Sequence, residues 1–407
     1  MFDITTGRSN CADARSAGRE AALHALMTSR RKPDGSSSSP NLAIVFGSAH
    51  YPQQQLIDGA ADVLGVGITL VGCSCGWQIS ADGVEQKSVV VMLIWSGFRL
   101  GVRPVMTTEV RRNPFEAGVR LGVQVRRQAP HSSDITTRIR QHGARFVTIR
   151  PYTLLLFADM VGVDSEALIA GVNTTLGPGF QIVGGVASDD GRAGSTAVYI
   201  NREILRDAVV GVVIAGRIPT AVSACHGCSP DSRRMSVTRS TGNLLQELDG
   251  RAPLDVYLDT FGASATNLTL RHLVGIPEWN GAYRLRSTVR VQSDGALMLT
   301  AAAPQGSPMQ WMACSAPCVA DAAQRAVQRA IADLGNARPA AALVFSSNLL
   351  LWRNDPVALQ HKLAAIRKTV GESVPIIGLN TFGEFASPTQ NGSESYGHTC
   401  VIFMLGA

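Results

Sequence analysis

The chain has 407 residues, of which 45% are hydrophobic, 6% aromatic and 17% charged, with a formal net charge of +6. That length exceeds one ordinary hydrophobic core, so two domains are expected, and the composition fits a soluble α/β or α+β protein rather than a disordered or fibrous one. No uninterrupted apolar run approaches the roughly 18 to 20 residues of a membrane-spanning helix. The N-terminus mixes Asp3, Arg8, Asp13 and Arg15 before any apolar stretch, so membrane insertion and a secretory leader are not expected, and a cytoplasmic location follows.

In chain order, residues 1–40 read as a flexible N-terminal segment that ends in the linker-like Ser36-Ser-Ser-Ser-Pro40, with a helix over 12–29 and order beginning at Leu42. From there one pattern occurs three times. A strand over 42–46 leads to a helix over 53–64 and a strand over 68–71. The second copy spans 152–157, 165–176 and 180–183, and the third 341–345, 356–370 and 374–377. Apolar residues at three-to-four spacing, such as Leu359, Leu363, Ile366 and Val370, mark the helices. Further strands are expected over 88–95, 196–200 and 399–405. The fold class is therefore α/β (α+β), with repeated strand–helix–strand units, added hairpin strands and sheets flanked by helices.

Between these units, residues 99–150 are rich in Arg. The stretch lacks interleaved aromatics and any DNA-binding motif, so it reads as a solvated helix face and nucleic acid is not an expected partner. Strands are expected over 208–215 and 221–224, a helix over 254–262, a hairpin turning at Asp294-Gly295, and a helix over 314–334. The composition change near Asp249 places the domain boundary there, giving domains 41–248 and 249–407.

Each second strand ends at an apolar pair before glycine: Leu70/Val71 before Gly72, Ile182/Val183 before Gly184, Ile376/Ile377 before Gly378. Gly72, Gly184, Gly185, Gly378 and Gly383 are read as glycine turns that permit positive φ or close backbone approach. Ligands gather at the ends of parallel strands, which makes the residues after these glycines candidate ligand contacts: Cys73, Ser74, Trp77 and Gln78; Ser188 and Asp189; Thr381 and Glu384. Hydroxyls supply hydrogen bonds, and Asp189 and Glu384 supply carboxylates for an amine. Turn capping is the structural alternative for the same residues.

These motifs, in this order, resemble the FIST family of bacterial sensory proteins over nearly the whole chain. Val71-Gly-Cys-Ser74, Val183-Gly-Gly-Val-Ala-Ser-Asp189, Glu247-Leu-Asp-Gly-Arg-Ala-Pro-Leu-Asp-Val-Tyr257 and Ile377-Gly-Leu-Asn-Thr-Phe-Gly-Glu384 carry the resemblance. It implies N-terminal and C-terminal FIST domains, a signal-input role, and binding of a small molecule such as an amino acid. In one branch the resemblance implies haem that senses nitric oxide and a partner that is a histidine kinase or cyclic-di-GMP enzyme. The chain departs from the pattern at Gln78, where an acid is expected, and at Pro317-Cys318, where an Arg is expected.

His226, in Cys225-His-Gly-Cys228, is the first candidate haem ligand, with His50 and His398 as alternatives. Eight cysteines in a chain of this class argue against a structural disulfide framework. Cys73, Cys75, Cys225 and Cys228 instead carry an alternative function, a thiol-redox or metal site. No nucleophile–His–acid set and no phosphate loop is present. A binding protein is therefore expected rather than an enzyme.

Overall fold

The computed structural model describes the chain apart from residues 1, 30–38, 98–99, 130–137, 143–144, 150–151, 177–179, 190–194, 217, 263–271, 279–280, 348–355, 390–391 and 397. The chain builds three copies of one unit. The first runs β1 (Asp3–Ser9), α1 (Ala14–Met27), β2 (Leu42–Ser48), α2 (Gln53–Leu64), β3 (Thr69–Cys75), the hairpin β4 (Gln78–Ser80) and β5 (Gly83–Glu85), and β6 (Val89–Trp95). The second runs β7 (Leu100–Thr108), α3 (Pro114–Gln128), a two-stranded excursion β8 (Arg138–His142) and β9 (Arg145–Ile149), β10 (Tyr152–Ala158), α4 (Ser165–Leu176), β11 (Phe180–Val186), the hairpin β12 (Val198–Ile200) and β13 (Glu203–Leu205), and β14 (Ala208–Gly216).

The third unit begins with β15 (Thr220–Cys225) and is then interrupted. The insertion comprises β16 (Cys228–Pro230), β17 (Met235–Thr241), β18 (Leu244–Leu248), α5 (Pro253–Phe261), β19 (His272–Pro277), β20 (Tyr283–Arg286), β21 (Thr288–Val291), β22 (Leu297–Leu299) and β23 (Pro308–Cys314). The unit resumes with α6 (Ala316–Asp333), β24 (Pro339–Ser347), α7 (Pro356–Val370), β25 (Ile376–Thr381), the hairpin β26 (Glu384–Thr389) and β27 (Gly392–Tyr396), and β28 (Cys400–Gly406).

The three sheets have one topology. Their orders are β1-β6-β2-β3-β12-β13, β7-β14-β10-β11-β26-β27 and β15-β28-β24-β25-β4-β5. In each, the two central strands are parallel, as a helical crossover requires, and the flanking pairs are antiparallel. Each unit lends its hairpin to a neighbour. The first completes the third sheet, the second completes the first, and the third completes the second. This cyclic exchange ties the units into one body.

Alternation along the strands produces two layers of core. Leu42, Ile44 and Phe46 face inward with Leu155, Phe157, Leu343 and Phe345, in a core common to all three sheets. Ala43 and Val45 face outward onto α1 and α2, and the other sheets cover their helix pairs in the same way. At the centre Phe46, Phe157 and Phe345 form a triangle, with ring centroids 5.5, 6.3 and 6.5 Å apart. Side chains cap the starts of α1, α3 and α6. Asp13 accepts from Ser16 N at α1, Asn113 from Glu116 N at α3 and Ser315 from Cys318 N at α6.

Three expectations are corrected. The N-terminal segment expected to be flexible contains β1 and α1; β1 pairs with β6 along its whole length, and α1 buries Ala17, Ala21 and Ala25. The expected linker at 30–38 lies outside the described residues. The strand expected over 196–200 is the donated hairpin β12, and β14 holds the place of β6 and β28. Gly72, Gly184 and Gly378 are not turns. They sit inside β3, β11 and β25, opposite Val45, Leu156 and Val344. A Cβ at Gly72 would lie 1.8 Å from Val45 O, and one at Gly184 1.8 Å from Leu156 O. Close approach between parallel strands is the reason for glycine there.

Candidate functional site

Beyond the close approach that the three glycines share, the strand ends meet one another. Ser74 Oγ donates to Ser188 O at 3.5 Å and accepts from Ala197 N at 2.9 Å. Ser188 Oγ donates to Asn380 O at 2.6 Å and accepts from Gly76 N at 3.3 Å. Trp77 N donates to Asn380 Oδ1 at 2.6 Å. Gly185 lies against Thr381, where an added Cβ would be 2.7 Å from its methyl group. Cys73, Ser74 and Ser188 are fully buried and Asp189 is nearly so. The structure thus brings the three sequence motifs together, chiefly as mutual partners in a junction between units.

Register makes Gln78, Val198 and Glu384 equivalent: they pair with Leu379, Cys73 and Gly185, each the residue after the strand glycine. Gln78 donates from Nε2 to Cys75 O and accepts at Oε1 from Ser88 N and Oγ. Glu384 accepts from Thr381 Oγ1 at one oxygen and from Thr399 N and Oγ1 at the other. Burial pushes this carboxyl up to about 7, against the opposing pull of its three donors and of the Lys362 charge. Glu384 is fully buried. Lys362 Nζ is also buried and donates to Ser346 Oγ at 2.8 Å.

An open cleft of about 500 Å³ lies beside this junction, between the body and the inserted sheet. The body contributes the loop from Met160 to Glu166, Val186, Ser347, Thr381, Gly383 and His398, and the insertion contributes Asn243, Leu285–Ser287 and Met298–Ala302. Of the expected ligand contacts, Thr381 and Gly383 line this cleft; Gly72, Cys73, Ser74, Trp77, Gln78, Gly184, Gly185, Ser188, Asp189, Gly378 and Glu384 do not.

Two polar links cross the cleft. Arg286 donates from Nη2 to Glu166 Oε1 at 2.5 Å, while its Nε and Nη1 donate to Ala302 O and Leu285 O. The Arg286 side chain is 6% exposed and Glu166 27%. Burial lowers the guanidinium pKa and the Glu166 carboxylate opposes that shift. The second link joins His398 Nε2 to Ser287 Oγ, with His398 Nδ1 3.5 Å from Ser347 Oγ. Burial pulls the His398 pKa down to about 4, helped by the neighbouring charges of His226 and Arg286.

Two of the three candidate histidines have their ring nitrogens engaged. His226 accepts at Nδ1 from Cys228 N and also bonds to the Tyr283 backbone; burial lowers its pKa. His398 lines the cleft with both nitrogens directed at serines, and His50 is exposed beyond the end of β2. A haem-iron ligand needs a free ring nitrogen, so His226 and His398 as they stand do not fit axial haem ligation, and the ring of His50 lies away from the cleft, edge-on to Tyr51. No group of three or more His, Cys, Asp or Glu fit to hold a metal occurs among the described residues.

The cysteines overturn an expectation. Cys228 and Cys314 form a disulfide, with Cα atoms 4.2 Å apart, across the β16–β23 pair. Cys73 and Cys75 lie in the core common to the three sheets, and Cys225 in the core under α6 and α7. The four cysteines of the redox or metal alternative therefore do not form one cluster. Burial pushes the Cys75 thiol up to about 12 and Cys73 in the same direction.

Arg286, Glu166 and Ser287 carry no motif. Arg286 and Glu166 are 120 residues apart in sequence, and only the packing of the insertion against the body joins them.

The FIST N domain model matches residues 41–251 and the FIST C domain model residues 253–387. An uncharacterized protein of Mycobacterium bovis is 28% identical over 423 residues, covering 99% of this chain and 98% of that one. One of Mycobacterium tuberculosis is 27% identical over 418 residues, covering 99% of each. Among solved structures, cyanuric acid hydrolase from A. caulinodans aligns over 99% of both chains at 10% identity with a TM-score of 0.40, a likeness too distant to bear on function. The chain belongs to the FIST family of sensory domains, and its role lies in signal transduction.

Proposed function

We infer that the protein is a non-catalytic signal input whose cleft binds a small amino-acid-like ligand. The observation that carries this reading is that the cleft is walled by two bodies, the three-unit body and the inserted sheet, joined across it by Arg286–Glu166 and His398–Ser287. A ligand that touches both walls favours one relative arrangement of them over another, which is the differential affinity a signal requires. The carboxylates of Asp164 and Glu166 and the guanidinium of Arg286 line one cavity, a charge pattern suited to an ammonium and a carboxylate on one molecule. Occupancy would then be read by a separate signalling protein, a histidine kinase or a cyclic-di-GMP enzyme.

A thermal-shift screen with free amino acids tests this. At least one should raise the unfolding midpoint of the wild type, and Val289→Trp, at an exposed position on the cleft wall, should abolish the rise. If no amino acid stabilises the wild type, or if Val289→Trp responds equally, the reading is wrong. Haem is tested separately. A Soret band that depends on His226, His50 or His398 would establish the haem-bearing form.

A further inference from the structure

We propose that Cys228, Cys314 and Cys318 form a thiol–disulfide exchange site at the neck of the inserted sheet, with a dithiol reductant as its substrate. Cys228 stands where the chain leaves the body after β15, and Cys314 where it returns to enter α6. The bond between them, 86 residues apart in sequence, closes the whole insertion into a loop at its base. It packs with Leu285, a residue of the cleft wall, and with Leu273 and Met312.

The two bonded cysteines are nearly inaccessible, at 9% and 6% exposure. Cys318 is exposed, and among the described residues it is the free cysteine with that exposure. It lies in the first turn of α6, four residues past Cys314. That turn packs against the neck. A Cβ at Gly227 would fall 2.3 Å from Cys318 O and 2.5 Å from Val319 Cα, and Val319 joins the apolar cluster around the disulfide. An exposed cysteine is therefore carried by the same turn whose backbone packs against the neck beside the buried disulfide, so a rotation of its side chain can carry a reaction from solvent to the enclosed bond.

The exchange balances as follows. The Cys318 thiolate attacks Cys314 Sγ, the Cys314–Cys318 bond forms as the Cys228–Cys314 bond breaks, and Cys228 leaves as a thiolate that takes a proton from water. One thiolate of the dithiol then opens the Cys314–Cys318 bond as a mixed disulfide. Its second thiol displaces the protein sulfur, leaving an oxidised, cyclic reductant and protein thiols at all three positions. After the first step no disulfide joins β16 to β23, which keep their short ladder of three residue pairs, so the insertion is no longer covalently closed at its base.

The test uses the full chain, prepared without reductant, treated with dithiothreitol, then quenched in acid, alkylated and mapped by mass spectrometry. Three results are expected. The starting protein yields a linked Cys228–Cys314 peptide. Cys228 is the first newly alkylated residue, while a linked Cys314–Cys318 peptide appears transiently. Cys318→Ser, a change at an exposed site, slows release of Cys228 by about tenfold or more, because direct attack on the buried bond must replace the relay. Alkylation of Cys228 and Cys314 before any reductant is added would overturn the proposal, as would release of Cys228 at the wild-type rate in Cys318→Ser.

Discussion

Glu384→Gln isolates one buried carboxyl whose ionisation works against the fold. In the folded protein this group is held at about 7 instead of its ordinary 4.5, chiefly by burial. The folded state thus keeps a proton that the unfolded chain releases at lower pH. The sign follows: stability from this group is fully present below about 4.5 and is lost as pH rises through about 7. At about 1.4 kcal/mol for each tenfold in proton affinity, the loss reaches about 3 kcal/mol once both states are ionised. Glutamine has no such transition. The fold already shows how it would sit, because Gln78 occupies the equivalent position, accepting from Ser88 N and Oγ and donating to Cys75 O. Thr399 stands where Ser88 does, supplying N–H and Oγ1 donors to Glu384. Urea unfolding of wild type and Glu384→Gln should be compared at intervals between about pH 5 and about pH 8. The stability difference should move in favour of the glutamine variant by up to about 3 kcal/mol as pH rises, with groups common to both proteins cancelling. A difference that stays constant across that range would refute a carboxyl that titrates near neutrality.

Phe157→Ala removes one ring of the central triangle, where all three rings are fully buried, and should cost about 3 to 5 kcal/mol in denaturant unfolding. Glu166→Gln removes the bonded counter-charge of the buried Arg286 guanidinium and leaves it the Asp164 carboxylate nearby; the expected loss is about 2 kcal/mol, below that of a fully buried pair because Glu166 keeps some solvent and Asp164 remains. An unchanged urea midpoint in that variant would show that the pair does not hold the insertion to the body. His398 is held at about 4 instead of 6.5, so its folded state prefers the neutral ring. Its contribution should be present above about pH 6.5 and lost as pH falls towards about 4, and His398→Gln should show a shallower acid loss in a pH series of thermal melts.

The repeated unit was readable from the sequence because its causes are local. Apolar runs of strand length, helices with three-to-four spacing and a glycine opposite the neighbouring strand recur in one order. Those features are set within some thirty residues. The same locality misled at two points. Residues 196–200 have strand composition, and nothing nearby says that the strand belongs to another unit's sheet. Asp3–Ser9 is too short and too polar to announce itself, and it becomes a strand because the open edge of β6 accepts it.

The candidate site divides along the same line. The sequence by itself determined the family, the threefold unit and most of the residues that meet at the junction, since Ser74, Trp77 and Ser188 follow shortly after the strand glycines; Asn380, which accepts from both Trp77 and Ser188, carried no signal of its own. It also marked the substitution of Gln78 for an acid, which leaves Glu384 as the acid among the three equivalent positions. Tertiary structure alone decided that most of these residues bond to one another and that the open space lies beside them. Only packing brings Arg286 to Glu166, Ser287 to His398 and Cys228 to Cys314, across 120, 111 and 86 residues. Spacing along the chain carries no information about partners so far apart. Their meeting depends on where the insertion lies against the body, a result of the whole buried surface.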